Sequence, residues 1–144
     1  MSMPALHPLT EVKALAKAGA FEMAIGSALN RIIPHLQNGT VGGARTFAVA
    51  VIEQLAATDY SETKILDDRT DPKRKRKVAH DEYGTKISTE LARAHLDDAT
   101  KRTWYVKLTI RRGPPRDLYV LSLHCLERPI RREDRTTLIP CWKE

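Results

Sequence analysis

The fold is decided by residues 103–125, TWYVKLTIRRGPPRDLYVLSLHC. Apolar and polar residues alternate over residues 103–111 and again over residues 118–125, as is typical of β-strands with one buried face. The residues between them predict a turn, because proline cannot donate to a strand ladder and glycine tolerates unusual dihedral angles. The sequence therefore predicts an antiparallel β-hairpin.

The register of this hairpin follows from its turn. If Arg112 faces Asp117, Tyr105 lies directly opposite His124, and one face is apolar: Trp104, Val106, Leu108, Ile110, Tyr119, Leu121, Leu123 and Cys125. A slip by one residue would destroy that face, so the register is well specified. The other face then collects polar side chains: Tyr105, Lys107, Thr109, Arg111, Ser122 and His124.

Helical patterns precede the hairpin. Thr10 is a suitable N-cap and Gly19 a suitable stop for a first helix. Apolar residues at helical spacing predict two further helices, over residues 23–33 and 44–57.

Two shorter elements are predicted beside the hairpin. Lys77–Tyr83 is a plausible neighbouring strand, which brings His80 towards the polar face, and residues 88–100 predict a short inserted helix. Residues 128–144 predict a polar tail that packs back through a few apolar side chains. We therefore predict an α+β fold, with N-terminal helices on an antiparallel sheet of three to four strands, in one domain over residues 1–144.

Composition limits the function classes. The 144 residues are 42% hydrophobic and 29% charged, which is typical of a globular domain. No stretch approaches the roughly 20 apolar residues of a membrane helix, and the N-terminus lacks a signal-peptide pattern, so we expect a cytoplasmic protein without a membrane partner. Two cysteines without a Cys/His cluster predict neither a disulfide framework nor a metal site.

The net charge of +6 favours a polyanionic partner. Residues 88–144 carry 12 basic and 8 acidic side chains, whereas residues 1–56 are nearly neutral. Five consecutive cations lie between these regions: Lys73, Arg74, Lys75, Arg76 and Lys77. This run is typical of a solvated loop, or of a patch that gathers nucleic-acid phosphates.

Six segments in a fixed order resemble one known family. They are HPLTEVKALAKAG (7–19), VIEQL (51–55), TDY (58–60), HDEY (80–83), WYVKLTI (104–110) and YVLSLH (119–124). The chain resembles, over about residues 7–127, the motility quorum-sensing regulator (MqsR) toxins, which are bacterial mRNA interferases with a RelE-like fold; residues 128–144 would be an extension. The resemblance implies the toxin of a toxin–antitoxin pair, with mRNA as its substrate.

The resemblance also implies a set of site residues. The family's active-site tyrosine falls on Tyr105, its glutamine on His80 and its C-terminal lysine on His124. The family's first lysine falls on Lys64 if the chain bulges or is offset after Tyr60. Two positions are thus replaced by histidine, and the implied partners are an antitoxin protein and, for cleavage during translation, the ribosome.

These residue types suit RNA cleavage without a metal or another cofactor. A base takes the proton of the ribose 2′-hydroxyl, an acid protonates the 5′-oxygen, and cations stabilise the charge on phosphorus. Histidine titrates near neutral pH and suits both proton roles, so His80 and His124 are candidates for either. Tyr105 would orient the phosphate, and Lys64, Lys107 or Arg111 would supply charge. The expected products are a 2′,3′-cyclic phosphate and a 5′-hydroxyl.

Two alternatives stay open. A non-catalytic nucleic-acid-binding module on the same fold would need the basic run and the polar face but neither histidine. A protein–protein adaptor would bind an acidic partner and no RNA. The commoner role of a lone strand histidine or lysine is to keep a sheet face hydrated or hydrogen-bonded.

Overall fold

The computed structural model describes residues 5–67 and 77–141, and the fold is α+β. Its helices are α1 (Leu9–Lys17), α2 (Asn30–Ile32), α3 (Val41–Gln54) and α4 (Thr89–His95). Its strands are β1 (Phe21–Met23), β2 (Tyr60–Asp67), β3 (Lys77–Lys86), β4 (Thr103–Arg111), β5 (Asp117–Cys125), β6 (Ile130–Arg131) and β7 (Thr137–Leu138). A π-helical turn (Ile25–Leu29) precedes α2, and 3-10 turns lie at Ile33–His35 and Ala57–Asp59. Among the described residues, no helix has the length and apolar character needed to cross a membrane.

The main sheet has five strands in the order β1-β5-β4-β3-β2. It is mixed, because β1 runs parallel to β5 while the other neighbours are antiparallel. The expected antiparallel sheet of three to four strands differs from this in strand number and in the direction of β1. Met23 ends β1 and does not begin a helix. A strand of three residues is too short for its alternation to be separated from the helical pattern that follows.

The predicted hairpin is present as β4 and β5, with Tyr105 paired with His124. The predicted pairing of Arg112 with Asp117 is wrong, because Arg111 faces Asp117. The register shifts by one where Lys107 pairs with Ser122 but Leu108 pairs with Val120. The extra residue is Leu121, and a β-bulge of this kind reverses which side chains face the core beyond it.

The bulge moves one aromatic side chain out of the predicted apolar face. Leu118 and Val120 face the core and are fully buried, whereas Tyr119 is only half-buried and faces the opposite way. The Arg111 guanidinium lies over the Tyr119 ring, 4.8 Å from its centre.

The helix ends show which local signals determine them. The predicted N-cap at Thr10 is wrong, because α1 begins at Leu9, after Pro8. The predicted end at Gly19 is confirmed: its φ of 74° is a left-handed conformation that glycine adopts without strain. The helix predicted over residues 44–57 begins three residues earlier, since the Thr40 hydroxyl caps it by accepting from the Gly43 amide.

The helices and the apolar face of the sheet share one core. At its centre the rings of Phe47 on α3 and Trp104 on β4 lie 5.0 Å apart, edge to face. The helix predicted within residues 88–100 is confirmed as α4, whose N-cap Ser88 accepts from the Leu91 amide. Core packing therefore holds β4 rigidly, and the polar face of β4 lies on the other side of the sheet.

The predicted tail forms a small hairpin, β6–β7, on the Tyr105 side of the sheet. Ile130 packs so closely on Gly84 that a Cβ atom there would lie 2.4 Å from the Ile130 Cγ2 atom. Because Gly84 pairs with Tyr105, this contact places the hairpin over the polar face. The Ser61 hydroxyl donates to the Arg131 carbonyl at 2.7 Å, and the Glu133 amide donates to the Tyr60 carbonyl at 2.6 Å.

Candidate functional site

A cleft of about 740 Å³ lies between the polar face of the sheet and the β6–β7 hairpin. The sheet contributes Tyr105, His124, Lys64 and Glu82 to its walls. The hairpin and the chain leading into it contribute the opposite wall, which includes four arginines: Arg128, Arg131, Arg132 and Arg135. Three residues predicted as catalytic thus lie in one cleft.

Glu82 is the centre of the polar network in this cleft. Its side chain is 4% exposed, and its Oε1 atom accepts a hydrogen bond of 2.6 Å from the Tyr105 hydroxyl. The Nζ atoms of Lys64 and Lys107 lie 3.4 Å and 3.3 Å from the same oxygen. A buried carboxylate is stable only when it is paired and hydrogen-bonded, and these three donors provide that environment.

Tyr105 is held as a neutral donor. Burial and the hydrogen bond to Glu82 raise the pKa of Tyr105 well above its ordinary value. The hydroxyl therefore keeps its proton at neutral pH and can donate but cannot serve as a base. The Lys107 ammonium also lies 5.7 Å from the centre of the Tyr105 ring, on its face.

His124 has a defined tautomer. Its Nδ1 atom lies 2.8 Å from the Cys125 carbonyl oxygen, which can only accept, so Nδ1 carries the proton. Burial, together with the positive charges of Arg31 and Lys107, lowers the pKa of His124 despite that hydrogen bond. At neutral pH the ring is therefore neutral, and its Nε2 atom has an unprotonated lone pair. The ring stacks on Tyr105 at 5.1 Å and 29°.

Lys64 reaches the cleft from β2. The pairing of β2 with β3 shifts between Tyr60 and Glu62, so the strand has an irregularity just after Tyr60. Lys64 is half exposed and lies 3.4 Å from both Glu62 and Glu82. The negative charge of Glu82, with a smaller contribution from Glu62, raises the pKa of Lys64. Its ammonium is thus protonated at neutral pH and partly open to the cleft.

His80 does not line the cleft. It is 4% exposed on β3, and its Nδ1 atom lies 3.1 Å from the Val78 carbonyl oxygen. The structure places its backbone opposite Lys64, on the strand next to the one that carries Tyr105. Of the two predicted histidines, only His124 lies in the cleft.

The predicted RNA-binding cations lie in different places. Lys107 is 15% exposed and paired with Glu82 behind the cleft. Arg111 is engaged elsewhere, with a bidentate contact to Asp117 and a 3.2 Å contact to Glu22. Lys77 is exposed at the start of β3. The remaining predicted cations lie outside the described residues: Lys73, Arg74, Lys75 and Arg76.

Sequence reasoning missed Glu82 and the hairpin arginines. Glu82 could have been found by strand alternation, because it lies two residues from His80 and so shares its face. The arginine signal is the composition of residues 128–135, RPIRREDR, for which the sequence predicts a polar tail that packs back through apolar side chains but no binding role. Within residues 5–67 and 77–141, no group of three or more His, Cys, Asp or Glu side chains could hold a metal ion.

Comparison with known proteins adds no relative. The chain matches no protein-family model, no curated protein and no solved structure. The family resemblance is therefore an interpretation of the sequence segments, and the chemistry of the cleft has to be argued from its own residues.

Proposed function

We propose that this protein is a metal-independent endoribonuclease of the mRNA-interferase type, with the cleft around His124 as its active site. The observation that carries the proposal is a neutral histidine with an unprotonated Nε2 atom, stacked on a protonated tyrosine and flanked by lysines. This set supplies a base, a hydrogen-bond donor and positive charge within one cleft. RNA can be cleaved by such groups because its own 2′-hydroxyl is the nucleophile.

In the proposed reaction, His124 Nε2 takes the proton of the ribose 2′-hydroxyl. The 2′-oxygen attacks the adjacent phosphorus, and the bond from phosphorus to the 5′-oxygen breaks. The Lys64 ammonium is protonated at neutral pH and gives a proton to the departing 5′-oxygen. The products are a 2′,3′-cyclic phosphate and a 5′-hydroxyl.

Charge stabilisation would come from the donors that now surround Glu82. The Tyr105 hydroxyl lines the cleft and can transfer part of its hydrogen bonding to the phosphate oxygens as negative charge grows there, while Lys107 pairs with Glu82 behind the cleft. Glu82 would hold these groups in place before substrate enters the cleft. It is therefore proposed as a positioning residue.

The biological setting follows from the sequence resemblance. The proposed substrate is mRNA in the cytoplasm, and cleavage would arrest growth until an antitoxin protein binds the toxin. An antitoxin for this +6 chain would present acidic or apolar surface. Whether cleavage requires the ribosome is decided by comparing naked mRNA with translated mRNA in a purified translation system.

The test uses purified protein, a labelled single-stranded RNA and chelator in the buffer. We expect 5′-hydroxyl and cyclic-phosphate ends from the wild type, and a loss of about 100-fold or more in kcat/KM for His124→Asn, as is usual when a general base is removed. Tyr105→Phe should lower the rate while leaving the fold intact. His95→Asn is the matched control, because His95 packs on Phe47 outside the cleft.

The outcomes separate the candidate functions. Cleavage that His124→Asn and Tyr105→Phe retain would place the active site elsewhere or show contamination. RNA binding without cleavage by the wild type would favour the non-catalytic module. A substrate with 2′-deoxyribose throughout should resist cleavage entirely, since it lacks the nucleophile.

A further inference from the structure

The β6–β7 hairpin and the residues before it contribute four arginines to the cleft, and Glu133 is on the same wall. The three other glutamates of the lining are paired with cations: Glu62 with Lys64, Glu82 with Lys64 and Lys107, and Glu127 with Arg31. One hairpin arginine, Arg132, is also engaged, since its Nη1 atom lies 2.9 Å from Asp59 and its Nε and Nη2 atoms donate to Thr136.

The other three arginines of this wall differ from Arg132. Arg128, Arg131 and Arg135 are exposed, and among the described parts of the chain none of them has an ion pair or a side-chain hydrogen bond. All three line the same cleft as Tyr105 and His124. Guanidinium groups that line a cleft without carboxylate partners suit phosphate binding, because their forked N–H donors match the phosphate oxygens.

The hairpin is fixed in position before any ligand arrives. Ile130 packs on Gly84, Ser61 donates to the Arg131 carbonyl, and Arg132 pairs with Asp59. The backbone that carries the three arginines is thus anchored to β2, to β3 and to the turn before β2. A rigid support lowers the entropy lost when phosphates bind.

The conformation of Arg135 indicates a role for its side chain. Its φ of 68° is the left-handed region, where glycine or asparagine is favoured and other residues are strained. Within the described residues, the Arg135 side chain makes no ion pair or hydrogen bond that would compensate for that strain. Glycine at this position would suit the turn better, so the structure itself gives no reason for arginine there.

We propose that Arg128, Arg131 and Arg135 bind consecutive phosphates of a single-stranded RNA and lay its backbone along the cleft beside His124. The inference rests on the proposed function, since it identifies the substrate class of the same site. The single strand follows from size: about 740 Å³ is typical of a pocket for a small ligand, whereas a duplex needs an open groove.

The probe is a labelled single-stranded RNA of about eight nucleotides with 2′-O-methyl ribose, which binds but cannot be cleaved. Its affinity is measured by fluorescence anisotropy at several salt concentrations. A phosphate contact on a single strand contributes about 0.7 to the slope of log affinity against log salt, and hence about a fivefold change in affinity at 0.1 M salt. Arg135→Gly should weaken binding by that factor without loss of stability. Arg128→Gln, Arg131→Gln and Arg135→Gly together should weaken it about 100-fold and lower the slope by about 2.

The control variant removes the same charge elsewhere. Lys17→Gln, Arg93→Gln and Arg112→Gln replace three exposed cations that do not line the cleft. If RNA binding depends only on the net positive charge of the protein, this variant and the triple variant of Arg128, Arg131 and Arg135 will lose affinity equally, which would overturn the proposal. Wild-type affinity in the control, together with the large loss in that triple variant, would support it.

The remaining outcomes separate this inference from the function on which it rests. If the wild type cleaves RNA and the variant that lacks Arg128, Arg131 and Arg135 binds RNA with unchanged affinity, phosphate binding by these arginines is refuted but the proposed nuclease activity is not. If the wild type binds RNA with the expected dependence on the three arginines but does not cleave it, phosphate binding is supported and the catalytic step is refuted. Equal affinity for a duplex of the same length would overturn the single-strand assignment. Absence of RNA binding, with arginine-dependent binding of polyglutamate instead, would overturn both in favour of an acidic protein partner.

Discussion

Replacing Gly84 by alanine tests how closely the β6–β7 hairpin packs on the sheet. The new Cβ atom would lie 2.4 Å from Ile130 Cγ2, about 1 Å inside the ordinary contact distance. Overpacking of this kind lowers stability by about 1–3 kcal/mol, whereas the smaller conformational freedom of alanine in the unfolded chain raises stability by about 0.4–1 kcal/mol. We therefore expect Gly84→Ala to lower the free energy of unfolding by about 1–2 kcal/mol.

The effect of Gly84→Ala on the free energy of unfolding should change sign when Ile130 is truncated. In an Ile130→Ala background the clashing methyl group is absent, and the nearest remaining atom of that side chain, its Cβ, lies 3.6 Å away, an ordinary contact. Gly84→Ala should then stabilise the protein by about 0.4–1 kcal/mol, because only the unfolded-state effect remains. The two substitutions would thus show a large coupling in a double-mutant cycle.

The assay is urea unfolding followed by far-ultraviolet circular dichroism for the wild type, both single variants and the double variant. Gly26→Ala is the matched control, since a Cβ atom at Gly26 would have no neighbour within 4 Å. Its effect should be the same with either residue at position 130. If Gly84→Ala stabilises the wild-type background, or shifts both backgrounds equally, the hairpin does not rest on Gly84 and the wall of the cleft is differently placed.

Three further predictions concern stability. Burial lowers the pKa of His7, His35 and His124, so the fold holds each ring neutral. Their contribution to stability is complete above the unfolded pKa of 6.5 and is lost as pH falls through the lower folded pKa values. The urea midpoint should therefore drop on acidification below pH 6.5, and a constant midpoint would contradict this reasoning. Glu82→Ala should lower the free energy of unfolding by about 1–3 kcal/mol in the same assay, because it leaves Lys64 and Lys107 without their shared carboxylate. A change below about 0.5 kcal/mol would contradict the central role of Glu82. Asp81→Ala removes the acceptor for the amides of Leu6 and His7, which anchors the N-terminal residues to the sheet. Limited proteolysis should therefore cleave the N-terminus of this variant faster than that of Asp98→Ala, an exposed control, and equal rates would refute the anchoring.

The sequence predicted β4 and β5 well because alternation is a strong signal when one face is buried. The pairing of Tyr105 with His124 followed from the turn register and is confirmed. The prediction failed beyond Ser122, because a bulge at Leu121 inserts one residue and no local pattern announces it. The two register errors, one in the turn and one at the bulge, compensate at Tyr105, which is why the site pair is correct although the turn pair is not.

The cleft itself depends on contacts between distant parts of the chain. The hairpin wall rests on Gly84, Ser61 and Asp59, each more than 40 residues away in sequence. Periodicity reports only neighbours within one element, so it cannot show that a polar tail folds back over a sheet face. The same limit explains why Arg111 was predicted as an RNA ligand, since its ion pair with Glu22 depends on the unpredicted strand β1.

Glu82 links the stability of the fold to the chemistry of the cleft. A carboxylate that is 4% exposed must be paired, and the fold meets that need with Tyr105, Lys64 and Lys107. Two of these donors, Tyr105 and Lys64, line the cleft and would face a phosphate in the proposed reaction. A phosphate in the cleft would therefore meet donors that Glu82 already orients, so little reorganisation would be needed as charge develops on phosphorus. The contacts of Glu82 thus serve both the stability of the fold and the orientation of the donors, which is the positioning role proposed for this residue.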